Sequence, residues 1–367
     1  MQKYLVKNFI FWFILILLPV FFLLILTLGW YTYGKLTYVS HFCSKFSKID
    51  GEIGWVHKPN IDSCMGTHEK FNREKVYHQA KIYTDNRGFR SFSKGENWKK
   101  NAVMFLGDSF TFSYMLPFED SFPAIFSDIT KEKINNLGSP AYSGAQALAL
   151  ASRWLPELKP RAIVYFETGF WERGVCFGKS RPKTILKPCY WINAKGDANL
   201  ILPVPGYVER MSGLGISPGG MVGAGENTWV YFLVSRPITK LKQILVRMGF
   251  ISGMPHDFRF YGENPSPVLK ALVIDLISLA KQSEAKVTLI DTIDVYGEIV
   301  ESLSSDNRKW LEFISYNDWK KQVLEPSLDL PKELVQIPHD GHYGEGMNEL
   351  IAKEIARRFE IISLTEQ

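Results

Sequence analysis

An alternation of short apolar runs with helical stretches constrains the fold of this 367-residue chain more than any other feature. The runs 102–106, 134–137 and 162–166 contain no charged residue and have the length of strands buried on both faces. The stretches 119–131 and 143–158, which separate them, have the composition of helices. This order predicts a three-layer α/β/α fold with a mainly parallel sheet.

The middle of the chain breaks this alternation. Residues 168–265 contain Pro- and Gly-rich stretches, and we predict that they form an insertion on the core sheet, as a lid or a substrate-shaping subdomain. The alternation then resumes, with a helix predicted over 267–282, a strand over 286–290 and another helix over 307–324. The α/β domain is therefore predicted to occupy 101–367, insertion included.

The N-terminus contains an uncharged, strongly apolar run from Phe9 to Trp30. A helix of that length crosses a hydrocarbon core of about 30 Å. A cleavable signal peptide is the alternative, but its apolar region is usually shorter and a small-residue cleavage site follows it. Lys3 and Lys7 precede the run, which favours a cytoplasmic N-terminus. We predict a single signal-anchor transmembrane helix over 1–34 in the inner membrane.

Everything after this helix is then expected outside the cytoplasm, in the periplasm of a bacterial cell. Residues 35–100 are polar and rich in turns, and we predict that they form a lead-in segment packed on the core. The four cysteines lack the close C-x-x-C spacing of zinc and redox sites. Pairing of sequence neighbours would give Cys43–Cys64 and Cys176–Cys189 in an oxidising compartment, although three connectivities are open and four free thiols are the alternative.

Composition excludes two classes of protein. The 43 basic and 38 acidic residues give a net charge of +5, and 46% of the residues are hydrophobic, so the chain is not a disordered polyelectrolyte. No dense basic face interleaved with aromatic residues is visible, so we expect no nucleic-acid partner. Neither a phosphate-binding glycine loop after a strand nor a full set of zinc ligands is visible, so no metal or cofactor is expected.

The motif Gly107-Asp108-Ser109 directly follows the first predicted strand. Active sites of doubly wound sheets lie at the carboxyl ends of the strands, where this serine stands. A glycine there permits a sharp turn, the serine hydroxyl faces the cleft, and its N–H can face a developing oxyanion. Gly-Asp-Ser is also a common composition of turns. Its position directly after a predicted strand is what favours a catalytic serine over a simple turn.

The second chemical element is Asp340-Gly341-His342, in a loop before the last predicted helix. A neutral histidine can accept the proton of a serine, and a neighbouring carboxylate can hold its tautomer and stabilise the imidazolium. The alternative is a surface turn, because Asp-Gly is a turn signal. His339 is a competing candidate for the base.

Together these motifs resemble the SGNH/GDSL hydrolase superfamily, and most of all its membrane-anchored bacterial members, the polysaccharide O-acetylation and deacetylation proteins. The resemblance covers about residues 50–167 and 267–360. The segments that carry it are 54–60, 86–90, 107–112, 119–123, 136–146 and 340–346.

The resemblance implies a flavodoxin-like strand order and a Ser acyl-enzyme mechanism. It assigns Ser109 as nucleophile, His342 as base and Asp340 as the residue that orients the base. The oxyanion donors would be the N–H of Ser109, the N–H of a glycine, for which Gly138 is the candidate, and an asparagine after the third strand.

The sequence departs from the family pattern at the third donor. Glu167 and Thr168 follow the third strand where the family has Gly-x-Asn-Asp, so the hydroxyl of Thr168 is the candidate donor and an ionised Glu167 would repel an oxyanion. Ala141 stands where many members have a second glycine. The Asp-to-His spacing is two residues, whereas many members use three.

The resemblance therefore implies a membrane-tethered serine esterase or O-acyltransferase acting on an O-acylated glycan, or a similar ester, outside the cytoplasm. Two alternatives remain open. One is a catalytically degenerate binding or assembly component of the cell envelope, which the missing asparagine favours. The other is a lipase or thioesterase in which the insertion forms an apolar lid.

Overall fold

The computed structural model describes residues 39–42, 46–69, 72–169, 187–192, 197–202 and 266–365, with scattered positions between 17 and 29. The chain divides into two units. The smaller unit comprises Met1–Ser40, His68–Lys75 and Val222–Asp257, and the larger unit comprises the remainder.

In the smaller unit, the described positions between 17 and 29 are helical. Their leucine, isoleucine and phenylalanine side chains are 45% to 66% exposed. Within the described ranges no helix is both long enough and apolar enough to span a membrane. Most of the predicted anchor helix, 1–34, lies outside the described residues, so that helix stays a prediction.

The described strands include short edge strands, hairpins and the core of the larger unit. They are β1 (Val39–Phe42), β2 (Ser47–Asp50), β3 (Gly54–His57), β4 (Asp62–Glu69), β5 (Asn72–Thr84), β6 (Arg90–Ser91), β7 (Val103–Leu106), β8 (Ile134–Asn136), β9 (Ala162–Glu167), β10 (Cys189–Ile192), β11 (Ala198–Ile201), β12 (Lys286–Asp291) and β13 (Leu311–Ile314).

The described helices vary from single turns to six turns. They are α1 (Ser109–Phe112), α2 (Phe122–Thr130), α3 (Gly144–Leu158), α4 (Ser266–Ser283), α5 (Gly297–Glu301), α6 (Ser305–Arg308), α7 (Tyr316–Trp319), α8 (Glu325–Ser327), α9 (Lys332–Val335) and α10 (Glu345–Thr365), with a 3₁₀ turn at Phe118–Asp120 and a π turn at Lys320–Leu324.

Five parallel strands form the centre of the sheet, in the spatial order β8-β7-β9-β12-β13. Numbered along the chain this order is 2-1-3-4-5, the flavodoxin-like arrangement of doubly wound sheets. Beyond β8 the sheet continues through β6, β5 and β4, and β6 is antiparallel to both β8 and β5. The prediction of a mainly parallel sheet is confirmed.

Side chains of successive strand residues point to opposite faces, and each face has its own core. Met104 and Leu106 of β7 pack in one core with residues of α3 and α4. Val103 and Phe105 pack in the other core with residues of α2 and α10. Helices therefore cover both faces of the sheet, and the predicted three-layer α/β/α architecture is confirmed.

The predicted helix over 307–324 is wrong. The chain there forms α6, then the edge strand β13, and only then the short helices that begin at Tyr316. Leu311 and Ile314 are buried and pair in parallel with β12, so tertiary pairing decided the structure of a segment with helical composition.

Two further predictions concern the start of the helix at 119 and the extent of the insertion. The helix predicted from 119 begins at Phe122, because Ser121 caps it by accepting the N–H of Ala124. Of the predicted insertion, 168–265, the structure describes residues 168 and 169 and the β10–β11 hairpin, and the rest lies outside the described residues.

The lead-in segment contributes to the core of the larger unit. Ile53 and Trp55, on the β2–β3 hairpin, are buried in the core that contains α3. The indole Nε1 of Trp55 donates to the carbonyl of Pro140 at 3.3 Å. The lead-in therefore reaches the loop that precedes α3, close to the candidate site.

Candidate active site

The turn after β7 can hold only glycine at position 107. Gly107 has φ of 154°, and a Cβ there would lie 2.1 Å from Thr111 Oγ1 and 3.0 Å from the Phe166 carbonyl oxygen. This close approach lets α1 begin two residues later at Ser109. Asp108 caps α1, since its Oδ1 accepts the N–H of Phe110 at 2.9 Å.

Ser109 lies at the switch point of the sheet, the crevice between β7 and β9 where ligands bind in doubly wound folds. The residue is 5% exposed. Within the described part of the chain its Oγ makes no hydrogen bond, and it is not among the buried polar atoms that lack a partner. The Oγ atom therefore retains contact with solvent and has no competing hydrogen-bond partner among the described residues.

His342 and Asp340, the candidate base and its carboxylate, are paired in the loop before α10. His342 Nδ1 bonds Asp340 Oδ1, and the His342 backbone N–H approaches the same oxygen at 3.4 Å. The Asp340 side chain is 3% exposed and the imidazole 21% exposed. A carboxylate on Nδ1 fixes the tautomer in which Nε2 is the proton acceptor.

The tertiary structure brings this pair to the Ser109 segment. The His342 ring lies 5.0 Å from the ring of Phe110, which directly follows Ser109, and 4.8 Å from that of Tyr114. No hydrogen bond joins Ser109 Oγ to His342 among the described residues. Catalytic hydrogen bonds of unliganded enzymes commonly tighten only when substrate binds, so the arrangement is compatible with a nucleophile and its base.

The competing base, His339, does not reach this segment. It is exposed, and its ring lies 4.2 Å from that of Tyr77 on β5. Its φ of 63° is in the left-handed region, which residues other than glycine seldom occupy. Of the two histidines, the structure places His342 beside Ser109.

The candidate oxyanion donors are only partly free. The N–H of Gly138 donates to Asn136 Oδ1 at 2.9 Å, and the hydroxyl of Thr168 donates to Asp108 Oδ2 at 2.9 Å. Either donor would have to leave its present acceptor to bind an oxyanion. The N–H of Ser109, at the first position of α1, has no acceptor among the described residues.

The Glu167 carboxyl is fully engaged by three hydrogen-bond donors. Its Oε2 accepts the hydroxyls of Tyr165 at 2.8 Å and Tyr296 at 3.0 Å, and its Oε1 accepts the N–H of Gly169 at 3.0 Å. Burial raises the pKa of this carboxyl, and the nearby Asp108 charge raises it further. The carboxyl therefore ties the turn after β9 to Tyr165 and Tyr296.

Ala141 is a feature whose role the sequence did not reveal. The turn from Ser139 to Tyr142 is closed by the Tyr142 N–H on the Ser139 carbonyl at 3.1 Å, and Ala141 has φ of 66°. Pro140 followed by a residue with positive φ is the pattern of a type II turn, which favours glycine at the Ala141 position. The Ala141 N–H has no acceptor among the described residues, so it is a further backbone donor in this loop.

His57 links the lead-in segment to the same loop. Its Nε2 lies 3.0 Å from Ser139 Oγ, and its ring packs 4.6 Å from Phe112 and 5.3 Å from Phe46. Burial lowers the pKa of His57 to about 3, and the charge of Arg90 lowers it further. His57 is therefore neutral and structural, not a second base.

This depressed pKa predicts a loss of stability in acid. Between pH 6.5 and 3 the unfolded chain protonates His57 and the folded chain does not, so the free energy of unfolding falls as the pH falls through that window. The expected contribution is on the order of a few kcal/mol. Urea unfolding at pH 7 and pH 4.5 should show a smaller pH dependence in His57→Gln than in wild type. His339→Gln is the control, and equal dependence in wild type and His57→Gln would contradict the prediction.

Two of the four cysteines lie within the described residues. Cys64 and Cys189 are both disulfide-bonded, and no cysteine in the described residues is free. Cys43 and Cys176 lie outside the described residues, so the pairing Cys43–Cys64 and Cys176–Cys189 stays a prediction.

Comparison with solved structures shows that the chain is similar to GDSL-type lipolytic enzymes and esterases. The psychrotrophic esterase EstA from Pseudoalteromonas sp. is 12% identical, with a TM-score of 0.34, over 73% of this chain and 100% of that one. A member of the lipolytic protein G-D-S-L family from Veillonella parvula is 12% identical, with a TM-score of 0.33, over 70% and 97%. The lipase/acylhydrolase from Enterococcus faecalis is 12% identical, with a TM-score of 0.29, over 71% and 96%.

No protein-family model matches the sequence, and no curated protein matches it. The function of this chain is therefore inferred from the geometry of the site.

Proposed function

We propose that the chain is a serine esterase of the SGNH type that acts through an acyl-enzyme on Ser109. The observation that carries the proposal is the Asp340–His342 pair, packed against Phe110 at the switch point of the sheet. A hydroxyl open to solvent, a histidine of defined tautomer and a buried carboxylate are the groups that ester cleavage requires.

In the proposed reaction Ser109 Oγ attacks the ester carbonyl carbon while its proton passes to His342 Nε2. The tetrahedral oxyanion would be held by the Ser109 N–H, together with Gly138 and Thr168 if these two release their present acceptors. The bond to the leaving alkoxide then breaks, and the alkoxide takes the proton from His342. Water, or the hydroxyl of an acceptor, attacks acyl-Ser109 and regenerates the serine, giving hydrolysis or acyl transfer.

We further propose that the protein is tethered to the inner membrane, with this site on the periplasmic side. The uncharged run from Phe9 to Trp30 and the exposed apolar side chains between 17 and 28 support an anchor, and the disulfides of Cys64 and Cys189 support an oxidising compartment. An O-acylated envelope glycan is the substrate we propose for that location. Release of the full chain from membranes by an alkaline carbonate wash would refute the anchor.

The substrate class is tested with the full chain in detergent. We expect labelling by a fluorophosphonate probe and turnover of p-nitrophenyl acetate and of acetylated cello-oligosaccharides, with much slower turnover of p-nitrophenyl octanoate. Faster turnover of the octanoate would favour a lipase or thioesterase. Slower turnover of the acetylated oligosaccharide than of p-nitrophenyl acetate would argue against a glycan ester.

A degenerate scaffold is the second candidate function. It is favoured by the engagement of the Gly138 N–H and the Thr168 hydroxyl with Asn136 and Asp108, because an occupied donor does not stabilise an oxyanion. A folded wild-type protein that no fluorophosphonate labels would support this candidate and refute the esterase.

A further inference from the structure

The ring of His342 packs against two aromatic rings that follow Ser109 in the sequence. Phe110 is 5.0 Å away with its plane inclined by 44°, and Tyr114 is 4.8 Å away with its plane inclined by 35°. The hydrogen bond with Asp340 fixes the position of Nδ1 alone. The plane of the imidazole ring can still rotate while this bond is kept. The two neighbouring rings restrict this rotation and therefore determine where Nε2 points.

Tyr114 is presented by a strained turn. Ser113, the residue before it, has φ of 58°, and Met115, the residue after it, has φ of 70°. Residues other than glycine seldom occupy this left-handed region, at a cost of about 1 kcal/mol or more each. Two such residues around one buried tyrosine indicate that the surrounding structure holds the turn in place.

The groups that hold the turn come from the lead-in segment. The guanidinium of Arg90 donates through Nη2 to the Leu116 carbonyl at 2.9 Å, and His78 on β5 bonds the Met115 carbonyl. Arg90 also donates to the carbonyl of Lys81 on β5 at 3.0 Å. Its guanidinium stacks 5.3 Å from Phe112, the last residue of α1. One buried arginine thus joins β5, α1 and the strained turn.

From this arrangement we propose that Tyr114 is a positioning residue for the base His342, and that Arg90 and His78 hold it in that position. The proposal rests on the proposed esterase function. The Tyr114 ring packs on the imidazole, so in this proposal it acts through the orientation of Nε2. Its ring face is also suited to the imidazolium that forms in the transition state, because aromatic faces attract cations. The lead-in segment is in this view part of the catalytic apparatus.

The test compares three substitutions at Tyr114 in the full chain, with p-nitrophenyl acetate as substrate and fluorophosphonate labelling as a second readout. Tyr114→Phe keeps the ring and should retain kcat within about threefold. Tyr114→Ala and Tyr114→Leu should lower kcat by about 10- to 100-fold with KM nearly unchanged, since small misplacements of a catalytic group have effects of that size. Tyr114→Leu removes the aromatic ring but leaves an apolar side chain that fills most of its volume. The test therefore remains available if Tyr114→Ala does not fold.

The control is Tyr316→Ala, which removes a partly buried tyrosine at the start of α7, after the edge strand β13, and should leave kcat unchanged. Wild-type kcat and labelling in a folded Tyr114→Leu protein would overturn the proposal, as would equal losses in Tyr114→Phe and Tyr114→Leu. If wild type itself is not labelled, the proposed esterase function fails and the positioning role fails with it. Labelling of wild type with no change at Tyr114 refutes the positioning role alone.

Discussion

Substitution of Ser109 by alanine is expected to abolish fluorophosphonate labelling and to lower ester turnover by a factor on the order of 10⁴ or more. The reason is that Oγ forms the bond to the acyl group, and no other described hydroxyl combines its position at the end of β7 with openness to solvent and a neighbouring Asp–His pair. Intact mass of the labelled full chain and the kinetics of p-nitrophenyl acetate hydrolysis measure the two effects.

The matched control is Ser127→Ala. Ser127 lies on α2, and its hydroxyl is donated to the Glu132 carbonyl at 2.6 Å, so its loss should affect stability slightly and labelling not at all. A folded Ser109→Ala protein that keeps full turnover would show that the nucleophile lies elsewhere. Equal labelling of Ser109→Ala and Ser127→Ala would lead to the same conclusion.

Substitution of His342 by alanine is expected to lower kcat by a factor on the order of 10³ to 10⁴, because the hydroxyl of Ser109 then has no base. Asp340→Asn should cause a loss of similar order. An amide on Nδ1 favours the wrong tautomer, in which Nε2 already carries the proton. The measurements are the rate of fluorophosphonate labelling and kcat for p-nitrophenyl acetate.

His339 supplies the internal control for this prediction. It lies three residues from His342 in the same loop, but its ring packs on Tyr77 instead of the Ser109 segment. His339→Ala should therefore retain nearly all activity. If His339→Ala were inactive and His342→Ala active, the roles assigned to the two histidines would be reversed.

The regular parts of the fold are predictable because their local pattern and their burial agree. β7, β9 and β12 each contain an uncharged, mainly apolar run, and the helix at Gly144–Leu158 starts where Ser143 and Gln146 form a reciprocal cap. The edge strand β13 is not predictable in this way. Leu311–Ile314 becomes a strand only because β12 offers a parallel partner, and no local signal records that partner.

In the candidate site, too, some features are predictable from the sequence and others depend on the tertiary structure. Ser109, Asp340 and His342 are recognisable from the sequence, because each stands in a motif whose residue types match the chemistry. The motif favours His342 over its competitor His339, but only the structure shows their contacts: the His342 ring packs against Phe110 and the His339 ring against Tyr77. Whether the candidate oxyanion donors are free also depends on the tertiary structure. Gly138 and Thr168 can be identified from their positions in the sequence. That they donate to Asn136 and Asp108 depends on how the side chains are placed.

The sequence by itself determined the α/β alternation, the serine at a strand end and the Asp–His pair, because each depends on residues close together along the chain. Only the tertiary structure decided which histidine packs against the segment that follows Ser109, which groups bond the Glu167 carboxyl and that Arg90 of the lead-in bonds the turn of Tyr114. These contacts join residues far apart along the chain. Their geometry follows from the packing of whole strands and helices, so no short stretch of sequence contains it.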